Sequence, residues 1–283
     1  MINQFINRVL AIIVVYNKNL KDSDSLKSIG SQIPTNHKLD LIIYDNSPQP
    51  QLVHSFEGIN IIQYVHNSSN VGVSKAYNDG AELAKQLQKE WILLLDQDTL
   101  FQDDLIQNYF QAVNDNTQIN LFCPIIMLKN NKIFSPFRRV LKRGAVMKEI
   151  SSKPYAIKNF SPVNSGMLIR VFNFFEVGGY NEKVRLDFSD LQFIEKFEKK
   201  NKWFFVINSF ALQDFSNEEV DVLKLNTRFE FFCEGVLNCH KSSLLDDLKF
   251  FLVVFIRATS LFIRTKRTIF YKTFFYHYVL RNL

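Results

Sequence analysis

Two aspartates separated by one residue stand directly after an apolar run, in the segment Asp96-Gln97-Asp98. Residues i and i+2 of an extended segment point to the same side, so the two carboxylates can converge on one cation. Carboxylate oxygens suit Mg²⁺ or Mn²⁺, which commonly bridge phosphates. The pattern predicts a divalent-metal site, while an ordinary polar loop that closes a strand stays open as the alternative.

Polar residues also follow two earlier apolar runs, as Tyr16-Asn17 and as the sequence Asp-Asn-Ser-Pro at 45–48. A carboxylate at Asp45 could accept hydrogen bonds from a base or a ribose, although the same four residues also form ordinary turns. Tyr16 offers a flat ring and a hydroxyl to a base, unless it is simply a buried aromatic residue. These segments are therefore candidates for nucleoside binding.

The segment Asn70-Val-Gly72 precedes a run with helical spacing that contains Asn78. The glycine permits a tight entry into the helix, and a helix amino end favours phosphate groups, so the segment could cradle a nucleotide. It matches neither the G-x-G-x-x-G fingerprint nor the G-x-x-x-x-G-K-[ST] phosphate loop. Dehydrogenase and P-loop classes therefore lose support.

The elements that must position these residues alternate between strands and helices. Apolar, β-branched runs predict buried strands at 9–16, 39–44, 59–64 and 91–95, and helical spacing predicts helices at 74–89 and 103–113. Further strands are expected at 120–128, 132–134, 165–170 and 203–207, a basic loop at 138–143, and helices at 187–199 and 217–239. The alternation predicts an α/β fold with a Rossmann-like, open, mostly parallel sheet and flanking helices. Ligands of such sheets bind at the carboxyl ends of the strands, where the polar segments meet.

The composition narrows the class of protein. Of 283 residues, 47% are hydrophobic and 22% charged, so the chain can bury a core, and its net charge of +6 suits an acidic partner. Three cysteines without a CxxC pair favour a reducing compartment. The sequence predicts no membrane-spanning helix. The run at 9–16 lacks the cleavage site of a signal peptide, so a cytoplasmic location is expected.

The last forty residues differ in character from the rest. Residues 244–283 carry seven Lys or Arg, two Asp and seven Phe. Four basic residues recur at helical spacing and are expected along one stripe: Lys249, Arg257, Arg264 and Arg267. A basic, aromatic, amphipathic helix is typical of a membrane interface, although a helix packed on the domain or half of a homodimer interface stays open. We expect a catalytic domain at 1–240 and this helical tail at 241–283.

An ordered set of motifs resembles the family 2 glycosyltransferases. The motifs are Val14-Val-Tyr-Asn17, Ile43-Tyr-Asp-Asn-Ser47, Asn70-Val-Gly-Val-Ser-Lys-Ala-Tyr-Asn78, Leu94-Leu-Asp-Gln-Asp-Thr99, Asn164-Ser-Gly-Met-Leu-Ile169, Val177-Gly-Gly-Tyr-Asn-Glu182 and Leu186-Asp-Phe-Ser-Asp-Leu-Gln-Phe193. The D-Q-D-[ST] form is similar to the bacterial rhamnosyltransferase-like branch, and Arg228-Phe-Glu-Phe-Phe resembles the aromatic helix of that branch. The resemblance extends over about residues 8–240.

The resemblance implies a GT-A fold and transfer of a sugar from a nucleoside diphosphate donor. The nucleotide-sugar-binding residues that it implies are Tyr16, Asn17, Asp45, Asn70, Gly72, Asn78 and Asp96. It further implies that Asp98, together with Asp96, holds Mg²⁺ or Mn²⁺ on the diphosphate. A divalent cation would neutralise the negative charge that develops as the sugar leaves.

By the same resemblance, Asp190 matches the catalytic base. The acceptor hydroxyl must lose its proton to a carboxylate opposite the leaving group, and attack on the far face inverts the anomeric centre. Asp187 is the competitor for this role, or it caps a helix. Gln213 stands where relatives often carry a metal-binding His, and Gln213 or Asp214 could supply an oxygen ligand instead. That departure keeps open a catalytically weakened, membrane-associated nucleotide-sugar-binding or scaffold protein on the same fold.

The resemblance also implies a donor, an acceptor and a location. The D-Q-D form favours rhamnose from dTDP-rhamnose, with UDP-hexoses open. The acceptor would be a hydroxyl of a lipid-linked glycan in bacterial surface polysaccharide synthesis, of capsule or O-antigen. The protein would then lie on the inner face of the cell membrane. Nucleic acid is not expected as a partner, because the basic tail contains no recognised nucleic-acid-binding module.

Overall fold

The computed structural model describes residues 1–213 and 221–282. Its strands are β1 Val9–Val15, β2 Leu39–Asp45, β3 Ile59–His66, β4 Trp91–Asp96, β5 Thr99–Phe101, β6 Leu121–Leu128, β7 Ile133–Ser135, β8 Phe137–Val140, β9 Arg143–Ala145, β10 Lys153–Ala156, β11 Phe160–Ser161, β12 Leu168–Arg170 and β13 Trp203–Gln213. Its α-helices are α1 Ile2–Asn7, α2 Asp24–Gly30, α3 Val73–Gln86, α4 Leu105–Asp115, α5 Val171–Glu176, α6 Ser189–Phe197, α7 Val222–Asn238, α8 Leu244–Thr265 and α9 Ile269–Thr273. From α9 the chain continues helically through Phe274–Val279 and Leu280–Asn282.

The main sheet contains ten strands in the described residues. Eight of them lie in the order β10-β13-β6-β12-β4-β1-β2-β3, with β5 beside β13 and β7 beside β6. The neighbours β4, β1, β2 and β3 are parallel, as are β6 and β13, whereas β12 runs antiparallel between β4 and β6. The expected α/β fold with an open, mostly parallel sheet and flanking helices is therefore confirmed.

Strand β1 shows why its sequence is apolar throughout. All seven of its residues are buried, because helices cover both faces of the sheet. Ala11 and Ile13 face a core shared with α1, α2 and α4, and Leu10 and Ile12 face a core shared with α3, α5 and α6. The predicted buried strand is confirmed, and it anchors the edge at which the polar segments lie.

Three segments differ from their sequence-based predictions. The basic loop expected at 138–143 is the β8–β9 hairpin, which joins β11 in a separate three-stranded sheet. Strand β13 continues past 207 to Gln213, because it pairs with β6 on one side and β5 on the other. Helix α7 begins at Val222, where Asp221 caps the amide of Leu223. The earlier part of the predicted helix, 217–220, lies outside the described residues.

The tail forms a folded helical unit. Phe250, Val254 and Leu261 of α8 share a core with Phe229 of α7 and Phe270 of α9. Helix α8 ends at Thr265, and the next residue adopts φ +57°, which turns the chain back. The prediction of one basic stripe is therefore wrong for Arg267, which lies beyond α8. No helix in residues 1–213 or 221–282 is long and apolar enough to cross a bilayer.

Candidate functional site

The polar segments meet at the carboxyl edge of the parallel strands, as expected. Asp96 is the last residue of β4 and Asp45 the last residue of β2. Strand β1 lies between them, and its Val14 and Val15 pair with Asp96 and Asp45 respectively. The register of three neighbouring strands therefore brings these two carboxylates to one edge of the sheet.

Asp96, Asp98 and Gln213 form the centre of the site. The Gln213 Nε2 atom donates to Asp96 Oδ2 at 3.2 Å and to Asp98 Oδ1 at 3.4 Å. The hydroxyl of Tyr77, a buried residue of α3, donates to Asp96 Oδ1 at 3.1 Å. Ser165 Oγ accepts from the Asp96 amide at 3.4 Å. Three separate elements thus hold the Asp96 position.

Ionisation of both aspartates at once is energetically unfavourable, so the pKa of each is raised. Burial raises the pKa of Asp96 to about 7, and repulsion from Asp98 adds to this effect, while hydrogen bonds from Tyr77 and Gln213 oppose it. Burial also raises the pKa of Asp98. A divalent cation between the carboxylates would remove this repulsion and favour their charged forms.

The residues present fit Mg²⁺ or Mn²⁺. Asp96 and Asp98 supply carboxylate oxygens, and Gln213 Oε1 is buried without a hydrogen-bond partner among the described residues. A half-turn of that amide exchanges its nitrogen and oxygen and turns an oxygen ligand towards the carboxylates. No group of three His, Cys, Asp or Glu in the described ranges is placed to hold a metal. Asp214, the other oxygen donor considered, lies outside the described residues.

A cleft opens beside the ends of β1 and β2. It has a volume of about 330 Å³ and is lined by Asn17, Lys18, Asn19, Ser47, Pro48, Gln49 and Gln51. Asn17 donates its amide to Ser47 Oγ at 3.0 Å. Gln51 Nε2 donates to the carbonyl of Lys18 at 3.0 Å. Sequence reasoning missed Lys18 and Gln51, for which no motif gave a signal.

Tyr16 borders the cleft through its neighbour Asn17, and its side chain is 45% exposed. The Tyr16 amide donates to Gln97 Oε1 at 2.9 Å, and Gln97 Nε2 donates to the Tyr16 carbonyl at 3.1 Å. The residue between the two aspartates therefore ties the metal-site segment to the end of β1. Sequence reasoning did not assign a role to Gln97, although its position between Asp96 and Asp98 could have indicated one.

Asp45 is fully buried beneath the cleft. Its Oδ1 accepts from the Ser47 amide at 2.9 Å, and its Oδ2 accepts from the Tyr64 hydroxyl at 2.7 Å. The turn expected at 45–48 is therefore held by the Asp45 side chain. Contact between Asp45 and a nucleoside stays a prediction.

The start of α3 packs against a later loop. Gly72 adopts φ +88°, and a Cβ there would lie 2.3 Å from the Arg185 carbonyl oxygen, so only glycine fits. Asn70 also adopts a positive φ of +48°. Asn78 accepts the Tyr180 amide at 2.8 Å and donates to the Tyr180 carbonyl at 3.1 Å. These contacts lie within the protein, and nucleotide binding by Asn70, Gly72 and Asn78 stays a prediction.

Asp190 lies in the first turn of α6 and shares the electrostatic environment of Asp96. Burial raises the pKa of Asp190 to about 6, against the stabilising hydrogen bond from the Leu191 amide, and Asp187 raises it further. The charge of Asp190 in turn contributes to the raised pKa of Asp96. A carboxylate with this pKa is deprotonated at neutral pH yet retains affinity for a proton, which suits a general base.

Asp187 is engaged elsewhere. Its Oδ1 lies 3.0 Å from Arg228 Nη2 of α7, and Arg257 of α8 faces it as well. The helix α6 begins after Phe188, so Asp187 makes no side-chain cap there. Asp187 is thus held in an ion pair with Arg228, and the assignment of Asp190 as the base stays a prediction.

A chain of side chains connects the two aspartate positions. The rings of Tyr77 and Tyr180 lie 5.4 Å apart, and the Tyr180 hydroxyl donates to Asn164 Oδ1 at 2.7 Å. Asn164 Nδ2 donates to Ser189 Oγ at 3.2 Å, next to Asp190. All four residues belong to the motifs described in the sequence analysis, so the sequence marked each of them. Their spacing along the chain did not predict that they contact one another.

The chain belongs to glycosyl transferase family 2, whose family model matches residues 10–220. A protein of Haemophilus influenzae described as an uncharacterized glycosyltransferase is 24% identical over 190 residues, which are 66% of this chain and 61% of that protein. The chain thus spans less than two thirds of the length of this relative.

Solved structures with a similar fold include S. aureus TarS and GalNAc-T7. TarS of S. aureus superposes with a TM-score of 0.52 and 13% identity, over 85% of this chain and 42% of TarS. GalNAc-T7, solved with UDP, GalNAc and Mn²⁺, superposes with a TM-score of 0.56 and 12% identity, over 87% of this chain and 54% of its own. A TarS 1–349 structure is a complex with UDP-GlcNAc; its TM-score is 0.51 at 14% identity, over 86% of this chain and 70% of that one. At these identities the likeness concerns the fold alone.

Proposed function

We propose that this protein is a metal-dependent, inverting glycosyltransferase that uses a nucleoside diphosphate sugar. The observation that carries the proposal is the convergence of Asp96, Asp98 and Gln213 at the carboxyl edge of the sheet, within the electrostatic reach of Asp190. The cleft beside Asn17 supports the proposal, because it offers a space for the nucleoside next to the metal-site segment.

In the proposed reaction the acceptor hydroxyl oxygen attacks the anomeric carbon of the donor. The bond from that carbon to the diphosphate breaks, the diphosphate takes the electron pair, and Asp190 takes the hydroxyl proton. Mg²⁺ or Mn²⁺, when bound, would neutralise charge on the departing diphosphate. Asp96, Asp98 and Gln213 would hold that cation, while Tyr77 keeps Asp96 in place. Displacement from the far face inverts the anomeric centre.

Two pyrimidine donors are proposed. The D-Q-D form of the metal-site segment favours dTDP-rhamnose, and the UDP and UDP-sugar complexes of the structural neighbours support a UDP-hexose. A cleft of about 330 Å³ at the ends of β1 and β2 accommodates a nucleoside in either case. The half-exposed ring of Tyr16 would stack on the base.

We further propose a lipid-linked glycan as the acceptor and the inner face of the bacterial cell membrane as the location, in capsule or O-antigen synthesis. An exposed apolar face of α8 supports this placement, and Leu244 at its start is 87% exposed. The other members of this face are Leu245, Leu248, Leu252, Phe255 and Ile256. Their helical spacing presents one surface that a bilayer interface could cover. A homodimer through the same face is the alternative occupant.

The proposal is tested by thermal unfolding with UDP, dTDP, GDP or CMP, each with Mn²⁺, Mg²⁺ or EDTA. A ligand that binds only the folded state raises the melting temperature. We expect a metal-dependent rise with dTDP or UDP, followed by sugar release in the presence of an acceptor extract. Metal-dependent binding without transfer to any acceptor would favour the weakened or scaffold protein. No rise with any nucleotide would contradict the donor site.

A further inference from the structure

A second cavity of about 420 Å³ lies between α6, the β8–β9 hairpin and the first turns of α8. Gln192 and Glu195 line it from α6. A helix turns by about 100° per residue, so Gln192 lies about 200° and Glu195 about 140° around α6 from Asp190. Leu191, which directly follows Asp190, lines the cavity as well, but Asp190 itself and the donor-site residues do not.

The cavity carries excess positive charge. Six Lys or Arg and three carboxylates line it. The carboxylates already have partners, in the ion pairs Glu195–Lys142 at 2.9 Å, Glu198–Arg139 at 2.6 Å and Asp246–Lys249 at 3.4 Å. Lys158, Lys196 and Lys199 have no carboxylate partner in the described part of the chain. Burial, and to a lesser degree the charge of Lys199, lower the pKa of Lys196, whose Nζ donates to the Gly178 carbonyl at 2.8 Å.

A buried amide adds directional hydrogen-bonding groups. Gln192 is only 6% exposed, yet neither its Nε2 nor its Oε1 has a hydrogen-bond partner among the described residues. Buried polar groups are normally paired, and an unpaired amide lowers stability. Gln192, Lys158 and Lys199 line the same cavity, so an anionic ligand in it would find the amide nitrogen and two ammonium groups as hydrogen-bond donors.

Exposed leucines lie directly beside this cavity. Lys249 lines the cavity from α8, and Leu245 stands four residues earlier, so the two side chains are neighbours on the helix surface. Leu248 precedes Lys249 in the chain and is also exposed. A phosphate site with an apolar rim matches an amphiphile, whose headgroup and hydrocarbon lie on the two sides of a bilayer interface.

We propose that this cavity binds the phosphate headgroup of an anionic membrane lipid while the leucines at the start of α8 enter the hydrocarbon boundary. The inference rests on the membrane placement in the proposed function and not on the transfer reaction. The positive charge of the cavity favours an anionic headgroup. The exposed leucines favour a lipid in a bilayer over free phosphate. The lining of the headgroup site includes neither Asp190 nor any residue of the donor site.

The test is co-sedimentation of the full chain with vesicles of phosphatidylcholine alone or mixed with phosphatidylglycerol. The variant Lys158→Gln with Lys199→Gln removes two unpaired cations from the cavity. The matched control, Lys200→Gln with Lys202→Gln, removes two nearby charges that do not line it. We expect the cavity variant to lose about tenfold or more in partitioning to the anionic vesicles, and the control to stay within about twofold. Equal melting temperatures exclude unfolding as the cause.

Four outcomes overturn the inference. The cavity variant could bind like the unchanged protein, or the two double variants could weaken binding equally, as a diffuse charge effect would. Inorganic phosphate could raise the melting temperature through Lys158 and Lys199 while no vesicle binds, which identifies a free-anion site. Binding to neither vesicle contradicts the membrane placement, whereas the nucleotide panel still reports on the transferase proposal by itself.

Discussion

The Gln213 amide donates to Asp98 across 3.4 Å, although 115 residues separate the two in the chain. The contact arises because β13 continues to Gln213 and pairs with β5, which places Gln213 opposite Thr99. Thr99 directly follows Asp98, so strand register determines the third side chain of the proposed metal site. An amide with two carboxylates still provides the oxygen ligands that a hard cation prefers.

Replacement of Asp98 tests the metal site. We expect Asp98→Asn to reduce turnover at least about a hundredfold, because it removes one ionised ligand. The variant should also lose the metal-dependent rise in melting temperature with UDP or dTDP. Asp103→Asn is the matched control, since Asp103 is exposed and lies outside the site. Near-normal turnover of the Asp98 variant would remove Asp98 from the metal site.

Replacement of Asp190 tests the base. Asp190→Asn should bind the nucleotide and metal with unchanged affinity and lose about 10²–10⁴ in the transfer rate. Asp187→Asn breaks the ion pair with Arg228. It should lose far less of the transfer rate, because Asp190 and not Asp187 is the proposed proton acceptor. The transfer rate of the unchanged protein should fall as the pH falls through about 6, where Asp190 takes up a proton. An active Asp190 variant would transfer the role of base to another group.

The stability of the metal-free protein should decrease with rising pH. The pKa of Asp96 is about 7 in the fold, against about 3.9 in an unfolded chain. Between these values the folded state holds a proton that the unfolded state has lost, so the free energy of unfolding falls from about pH 4 to about pH 7. Melting curves in EDTA should show this trend, and Asp96→Asn should reduce its slope, leaving the smaller contributions of Asp98 and Asp190. Saturating Mn²⁺ should reverse the trend, since the ion binds the charged carboxylates. A slope unaffected by the substitution would contradict the assignment.

Replacement of Asn78 separates a positioning role from nucleotide contact. Asn78→Ala removes the hydrogen bonds that join α3 to the Tyr180 segment and should lower the free energy of unfolding by about 1–3 kcal/mol. The affinity of the folded protein for UDP or dTDP should change less than about threefold, because the Asn78 amide points to Tyr180. Chemical denaturation and nucleotide titration measure the two effects separately. Lost affinity at full stability would show direct contact with the nucleotide.

Local patterns were sufficient for the fold class and for the sheet edge at which the polar segments meet. The continuous apolar runs of β1 and β4 predicted strands covered on both faces, and the Asp96–Asp98 segment was expected at their carboxyl edge. Both expectations depend on a few consecutive residues, since side-chain periodicity and strand ends are local properties of the chain. The motif resemblance then gave the family to which the chain belongs.

Long-range pairing decided what the local patterns left open. The sequence alone left Asp187 and Asp190 as competitors, and the packing of α7 against the start of α6 gave Asp187 an arginine partner. The sequence placed Asn78 in a nucleotide-binding motif. In the fold, the packing of α3 against the Tyr180 segment gives its side chain a hydrogen bond within the protein. The sequence predicted one basic stripe in the tail, and the turn after Thr265 folded that tail into its own core. Such contacts join residues far apart in the chain, and they depend on strand register and on the burial of whole elements, which no short window of sequence contains.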